Sequence, residues 1–88
     1  MKLNETVKMM NSIDYKERFK AEYYQLKIRF CGLVNMLGVW DNGKLTFEPT
    51  CPRSTYDLQL RAMRDYMAIM EMRAVMEHIE LDTSFAVA

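Results

Sequence analysis

Histidine and tryptophan occur once each in this chain, cysteine and proline twice, and glycine three times. Each scarcity removes a class of function. A metal centre needs several His, Cys or carboxylate ligands at set spacings. The lone His78 sits near the expected end of a helix, where a cation offsets the helix dipole. No metal and no other cofactor is therefore expected. A nucleophile–base pair needs Cys or Ser beside His. Cys51 and His78 stand at opposite ends of one expected helix, so no dyad forms and the chain is expected not to be an enzyme. Cys31 lies about nine residues, or ~13 Å at 1.5 Å per residue, from the turn beside Cys51. The two therefore stay unbridged, as reduced thiols do in a cytosolic protein. No glycine-rich phosphate loop is present, and Asp41-Asn42-Gly43 reads as a turn.

Charge of one sign is missing too: twelve Lys and Arg balance twelve Asp and Glu. That balance argues against a non-specific DNA binder, which would be basic, and against a strongly acidic DNA mimic. No DNA partner is expected. No apolar run approaches the ~20 residues of a membrane span, and no signal-peptide core opens the chain. The expected protein is soluble and cytoplasmic, with no membrane contact.

Apolar residues, by contrast, make up 50 % of the 88 positions, enough to fold and enough for one domain over 1–88. Phe19, Tyr23, Leu26, Phe30, Leu33, Leu37 and Trp40 are spaced four and three apart in alternation, the heptad seam of a coiled-coil-like helix. Asp14 or Ser12 caps its start. Pro49 and Pro52 mark the way into a second helix, with Thr50 the expected N-cap and Pro52 in the first turn. Leu45 and Phe47 are expected to drop onto the hairpin end.

The expected architecture is all-α: an antiparallel two-helix hairpin with long helices at about 13–41 and 52–80. A short helical arm over 1–12, mobile or docked as a flap, precedes the hairpin of 13–81, and a flexible tail covers 82–88. The second helix carries two apolar stripes. Leu60, Met63, Met67, Met70, Ala74 and Leu81 form one; Tyr66, Ile69, Met72, Met76 and Ile79 form the other. A single partner helix covers only one of them. A second copy of the chain would cover the other, so a homo-oligomeric bundle is expected.

One polar constellation stands out. Arg18, Glu22, Gln25 and Arg29 share a stripe on the first helix; Gln59, Tyr66 and Arg73 step along the second. An Arg fork suits phosphate and a Tyr ring suits a base. The same residues would equally serve as a hydrogen-bond network that sets helix register. Arg61 and Arg64 form a second basic cluster, which also reads as a solvated face. Glu17–Lys20 and Asp57–Arg61 have the three- and four-residue spacing of helix-surface charge pairs, and Glu22–Arg29, two turns apart, reads as a surface charge pair more readily than as an acid–base pair.

Tyr15–Phe30 (YKERFKAEYYQLKIRF), Phe47–Pro52 (FEPTCP) and Gln59–Leu81 (QLRAMRDYMAIMEMRAVMEHIEL) together resemble small helical-hairpin proteins of bacteriophages and prophages, the crAss-like phage-related family. The similarity spans about Tyr15 to Leu81 and carries no catalytic residue across. It implies a phage-encoded anti-defence protein in the host cytoplasm. Such a protein would act as an oligomeric sponge for a nucleotide second messenger, of cyclic or ADP-ribose type. Its ligand contacts would come from Gln25, Arg29, Gln59, Tyr66 and Arg73, with Arg61 and Arg64 as outer phosphate contacts. The alternatives are an inhibitor that docks onto a host defence protein, as anti-CRISPR proteins do, and a structural or assembly helper without a ligand.

Overall fold

The computed structural model describes residues 1–82, and most of the expected tail lies outside them. A 3-10 turn, Leu3–Thr6, leads into a one-turn helix α1, Val7–Met10; the long helices are α2, Tyr15–Asp41, and α3, Arg53–Met76. No strand occurs among the described residues.

Helix α2 starts where local hydrogen bonding dictates. The Asp14 carboxylate accepts from the Lys16 backbone N–H at 3.0 Å, and the Ser12 hydroxyl accepts from the Asp14 N–H at 3.1 Å. Both expected caps are used, in series. At the other end Gly43 turns left-handed at φ 69°. Its N–H bonds to the Trp40 carbonyl at 2.9 Å, and that of Lys44 to Val39 at 3.0 Å. This paired closure satisfies two carbonyls that would otherwise be orphaned.

Helix α3 departs from expectation at both ends. Its N-cap is Pro52, not Thr50. The residue before a proline is pushed out of helical geometry, so the helix cannot begin ahead of Pro52. It stops at Met76, four residues short of the expected 80. His78 takes the left-handed conformation at φ 58°, and the Ile79 N–H bonds back to Ala74 at 2.8 Å. Ile79, 6 % exposed, and Ala74 belong to one buried cluster. An apolar residue after the left-handed position commonly packs this way. Burial of Ile79 is thus achieved by reversal of the chain rather than by another helical turn.

The two long helices lie antiparallel, since contacts pair Lys16 with His78, Tyr23 with Glu71 and Asp41 with Arg53. The core gathers Phe19, Tyr23, Tyr24, Met70, Ala74 and Ile79, with Met9, Leu26, Met67 and Leu81 against them. Of the expected seam, Phe19, Tyr23 and Leu37 are buried, while Leu26, Phe30, Leu33 and Trp40 stay half-exposed. Two helices alone cannot surround them.

The arm is docked on α2. Thr6 is fully buried; its hydroxyl donates to the Leu3 carbonyl at 2.6 Å and accepts from Gln25 Nε2 at 2.9 Å. Phe47 does not drop onto the hairpin; it is 56 % exposed, while Leu45 is half-buried. Cys31 and Cys51 are free thiols. Among the described residues no helix is long and apolar enough to cross a membrane, and no group of three or more metal-ligating side chains forms.

Candidate functional site

An antiparallel pair with seven-residue spacing on both helices builds a ladder. At the first rung the Tyr15 hydroxyl donates to Glu77 Oε1 at 2.8 Å and accepts from Arg73 Nη2 at 2.7 Å. Arg73 Nε also donates to Glu77 Oε2 at 3.1 Å. Seven residues up α2 and seven down α3, the Glu22 carboxylate lies beside the Tyr66 hydroxyl and perturbs it. The same register brings Arg29 and Gln59, both exposed, to the third level. One helical face thus carries Tyr15, Glu22 and Arg29 against Arg73, Tyr66 and Gln59.

Two shallow adjoining depressions run along this ladder. One, of about 280 Å³, is lined by Tyr15, Arg18, Phe19, Glu22 and Arg73. The other, of about 250 Å³, is lined by Met10, Arg18, Glu22 and Gln25. Arg18 and Glu22 belong to both. The Arg73 guanidinium lies 5.0 Å over the Phe19 ring, a cation–π contact that holds it at the mouth. Arg18 donates to the Ser12 carbonyl at 2.8 Å, which ties the groove to the turn between arm and hairpin.

The electrostatics follow from these bonds. The hydrogen bond to Glu77 raises the Tyr15 pKa, as the neighbouring Glu22 carboxylate raises that of Tyr66. The Tyr15 hydroxyl in turn lowers the pKa of Glu77, with Arg73 adding to the effect. Glu77 raises that of Arg73. Arg73 therefore stays a cation, and both phenols stay neutral donors at neutral pH. A cation on a planar fork beside aromatic rings suits a phosphate attached to a flat ring system.

The opposite flank of the hairpin is different in kind. There Lys16 Nζ donates to the His78 carbonyl at 3.3 Å and Tyr23 donates to Glu71 at 2.5 Å. The Arg64 guanidinium covers the Phe30 ring at 5.6 Å, and Arg53 pairs with Asp41 beside Trp40. Burial pushes the Tyr23 phenol well up, with the Glu71 bond adding to it. These contacts close the helices onto each other.

Of the residues singled out in the sequence, Tyr66 and Arg73 stand on the ladder, while Gln25 lines the adjoining depression with its amide bonded to Thr6 of the arm. Arg29 and Gln59 share its upper rung by register. Arg64 lies on the other flank, and Arg61 points outward from α3, about 140° round the helix from Tyr66 at 100° per residue. Neither shares the groove. Of the expected surface pairs, Glu17–Lys20 forms at 3.9 Å. Glu22 turns to Tyr66 instead of Arg29, and Asp57 pairs with Arg53 at 3.3 Å instead of Arg61. Sequence reasoning missed Tyr15 and did not place Arg18 in the groove. Both stand at helical spacing from Glu22, seven and four residues before it, and that spacing was the available signal.

No curated protein and no solved structure matches the chain. One protein-family model does, over residues 13–76. The match begins one residue before the Asp14 cap and ends on the last residue of α3. It takes in both long helices and every residue of the ladder except Glu77, and leaves out the arm. Covering well over half of the sequence, it establishes that the chain belongs to the Sequestin family.

Proposed function

We propose that this chain is a phage-encoded anti-defence protein that works without catalysis. Its action is that of a homo-oligomeric sponge, which binds a nucleotide immune second messenger in the host cytoplasm and keeps it from its receptor. The observation that carries the reading is the ladder groove, where Arg18 and Arg73 stand among Tyr15, Phe19 and Tyr66. Guanidinium forks bind phosphate bidentately, and the aromatic rings offer a face to a base. The family name denotes sequestration, which requires holding rather than turnover. Gln25, Arg29 and Gln59 would supply further polar contacts along the same flank. Arg61 and Arg64, lying elsewhere, would at most attract anions at a distance.

Calorimetry against cyclic dinucleotides, cyclic trinucleotides and ADP-ribose tests this. Binding to at least one is expected, reduced about tenfold or more in Arg73→Ala, a change of ~1.4 kcal/mol or above. Circular dichroism should show the helices intact. An absence of heat across the panel would remove the sponge reading.

A second reading has its own observation: Leu58, Ile69, Met72 and Met76 on α3 are all more than half exposed. An inhibitor of the anti-CRISPR kind would dock that face on a host defence protein. It predicts co-purification with one host protein, abolished by Met72→Lys. A structural or assembly helper predicts neither result.

A further inference from the structure

The loop that joins the two long helices carries a depression of its own. It encloses about 360 Å³ and is lined by Trp40, Gly43, Leu45, Phe47, Glu48 and Pro49. The Tyr15–Glu77 rung lies at the other end of the hairpin. Between them α2 runs 27 residues, or about 40 Å at 1.5 Å per residue.

The frame of this depression is tied down from several sides. Arg53, the first residue of α3, pairs with Asp41, the last of α2. Tyr56 meets the Trp40 ring edge-on, with the centroids 6.0 Å apart. The Gly43 and Lys44 N–H groups close back on α2, and Pro49 and Pro52 fix two φ angles in the remainder of the loop. On this tethered backbone Phe47 stands 56 % exposed. A large ring held in water on a constrained segment loses little freedom when a partner covers it.

What would cover it follows from a pattern repeated along the hairpin. The Arg73 guanidinium lies 5.0 Å over the Phe19 ring and pairs with Glu77. Arg53 lies 5.8 Å over the Trp40 ring and pairs with Asp41 and Asp57. Each set joins an aromatic ring, a guanidinium and a carboxylate. Arg64 likewise covers Phe30, at 5.6 Å. At the tip, Phe47 and Glu48 supply a ring and a carboxylate. Among the described residues no guanidinium joins them, since Arg53 is held by two aspartates and does not line the depression. Lys44 does not line it either.

We propose that this depression takes one arginine side chain of a partner protein, whose guanidinium lies against the Phe47 and Trp40 rings and pairs with Glu48. Arginine suits the site better than lysine does. Its planar group stacks on a ring, sheds water more readily than an ammonium and forks a carboxylate. The alkyl stem would run along Leu45 and Pro49, as such stems do on apolar surface. A carboxylate in the lining repels phosphate, so nucleotides and nucleic acids are the wrong occupants here. The volume is near the lower end of the roughly 300–1,000 Å³ usual for ligand pockets, which suits a side chain rather than a folded segment. This contact goes beyond the sponge reading and stands without it, because no residue of the ladder takes part.

Trp40 is the single tryptophan of the chain, so its indole N–H gives one unmistakable side-chain resonance for a titration. The acetyl-Gly-Arg-Gly-amide peptide should shift that resonance saturably, and the same peptide with citrulline, a neutral isostere, should not. No saturable shift, or an equal one with citrulline, would overturn the proposal. Phe47→Ala and Glu48→Gln should each weaken peptide binding about three- to fivefold, the range for a cation–π contact and an ion pair at an exposed site. Both side chains are exposed, so the circular dichroism of each variant should match the wild type. Unchanged affinity in both variants would place the contact elsewhere and refute the site. Spermidine separates a free polyamine from a protein side chain: it should bind more weakly than the peptide, and equal or tighter binding would overturn the protein partner.

Discussion

Helix α3 has two apolar faces built from the same residue types, and they have different fates. On the inward face Met70 is fully buried and Ala74 4 % exposed, closed over by Phe19, Tyr23 and Tyr24. On the outward face Met72 and Met76, at the same depth along the helix, stand in water. The sequence treats the two alike, with methionines at helical spacing on both. Inward, the seam has a partner within the chain; outward, it has none among the described residues. Apolar content alone therefore does not separate core from interface, whereas the number of faces set against the number of available partners does.

The comparison breaks most sharply at two methionines two residues apart. Met70→Ala should cost roughly 2–5 kcal/mol of folding stability, because it removes a side chain packed on all sides and leaves a cavity. Met72→Ala should stay within about 0.5 kcal/mol in the monomer, as exposed substitutions do. Urea denaturation at low protein concentration, where any dimer is dissociated, measures both. Equal losses would mean the outward face is not a separate surface.

Tyr23→Phe sharpens the inward side next. It deletes the hydroxyl that donates to Glu71 at 2.5 Å across the helices. A loss of about 1.5–3 kcal/mol is expected for a hydrogen bond to a charged group. Tyr66→Phe, on the half-exposed flank, should cost well under that in stability and show its effect in ligand binding instead.

A smaller effect comes from the end of α3. His78→Gly should stabilise by about 0.5–1 kcal/mol, since glycine adopts the left-handed conformation without the strain a side chain brings. The smallest concerns pH. The folded pKa of Glu77 lies below its ordinary value of 4.5, held there first by the Tyr15 hydroxyl and then by Arg73. A depressed carboxylate contributes stability above its unfolded pKa and loses it as pH falls through the folded value. An acid titration should therefore show Tyr15→Phe less sensitive than the wild type below about pH 4.5. The difference will be slight, because the site is solvated.

Much of this was legible in the residues. The four–three spacing from Phe19 to Trp40 specified α2, and Asp41-Asn42-Gly43 its end. The stripe through Glu22 and Gln25 and the steps through Tyr66 and Arg73 were visible because both recur at helical spacing. Periodicity failed where the chain reverses. Ile79 and Leu81 keep a helical rhythm, so α3 was expected to run to about 80; the left-handed His78 is a backbone event with no apolar signature. The arm was read as either mobile or docked as a flap, and the choice between the two was hidden for a related reason. Thr6 and Gln25 are nineteen residues apart, and their hydrogen bond belongs to no repeat. Arg64 looked like a partner of Arg61 on the sequence, yet the register of α3 sends it over Phe30 on the far flank.

The most direct test of the central claim is to purify the protein from cells that are making an immune nucleotide, denature it by heat, and analyse the released small molecules by mass spectrometry. A nucleotide bearing two or more phosphates is expected in near-stoichiometric amount from the wild type and in trace from Arg73→Ala. Equal recovery from both proteins, or none from the wild type in cells shown to hold the messenger, would contradict the account.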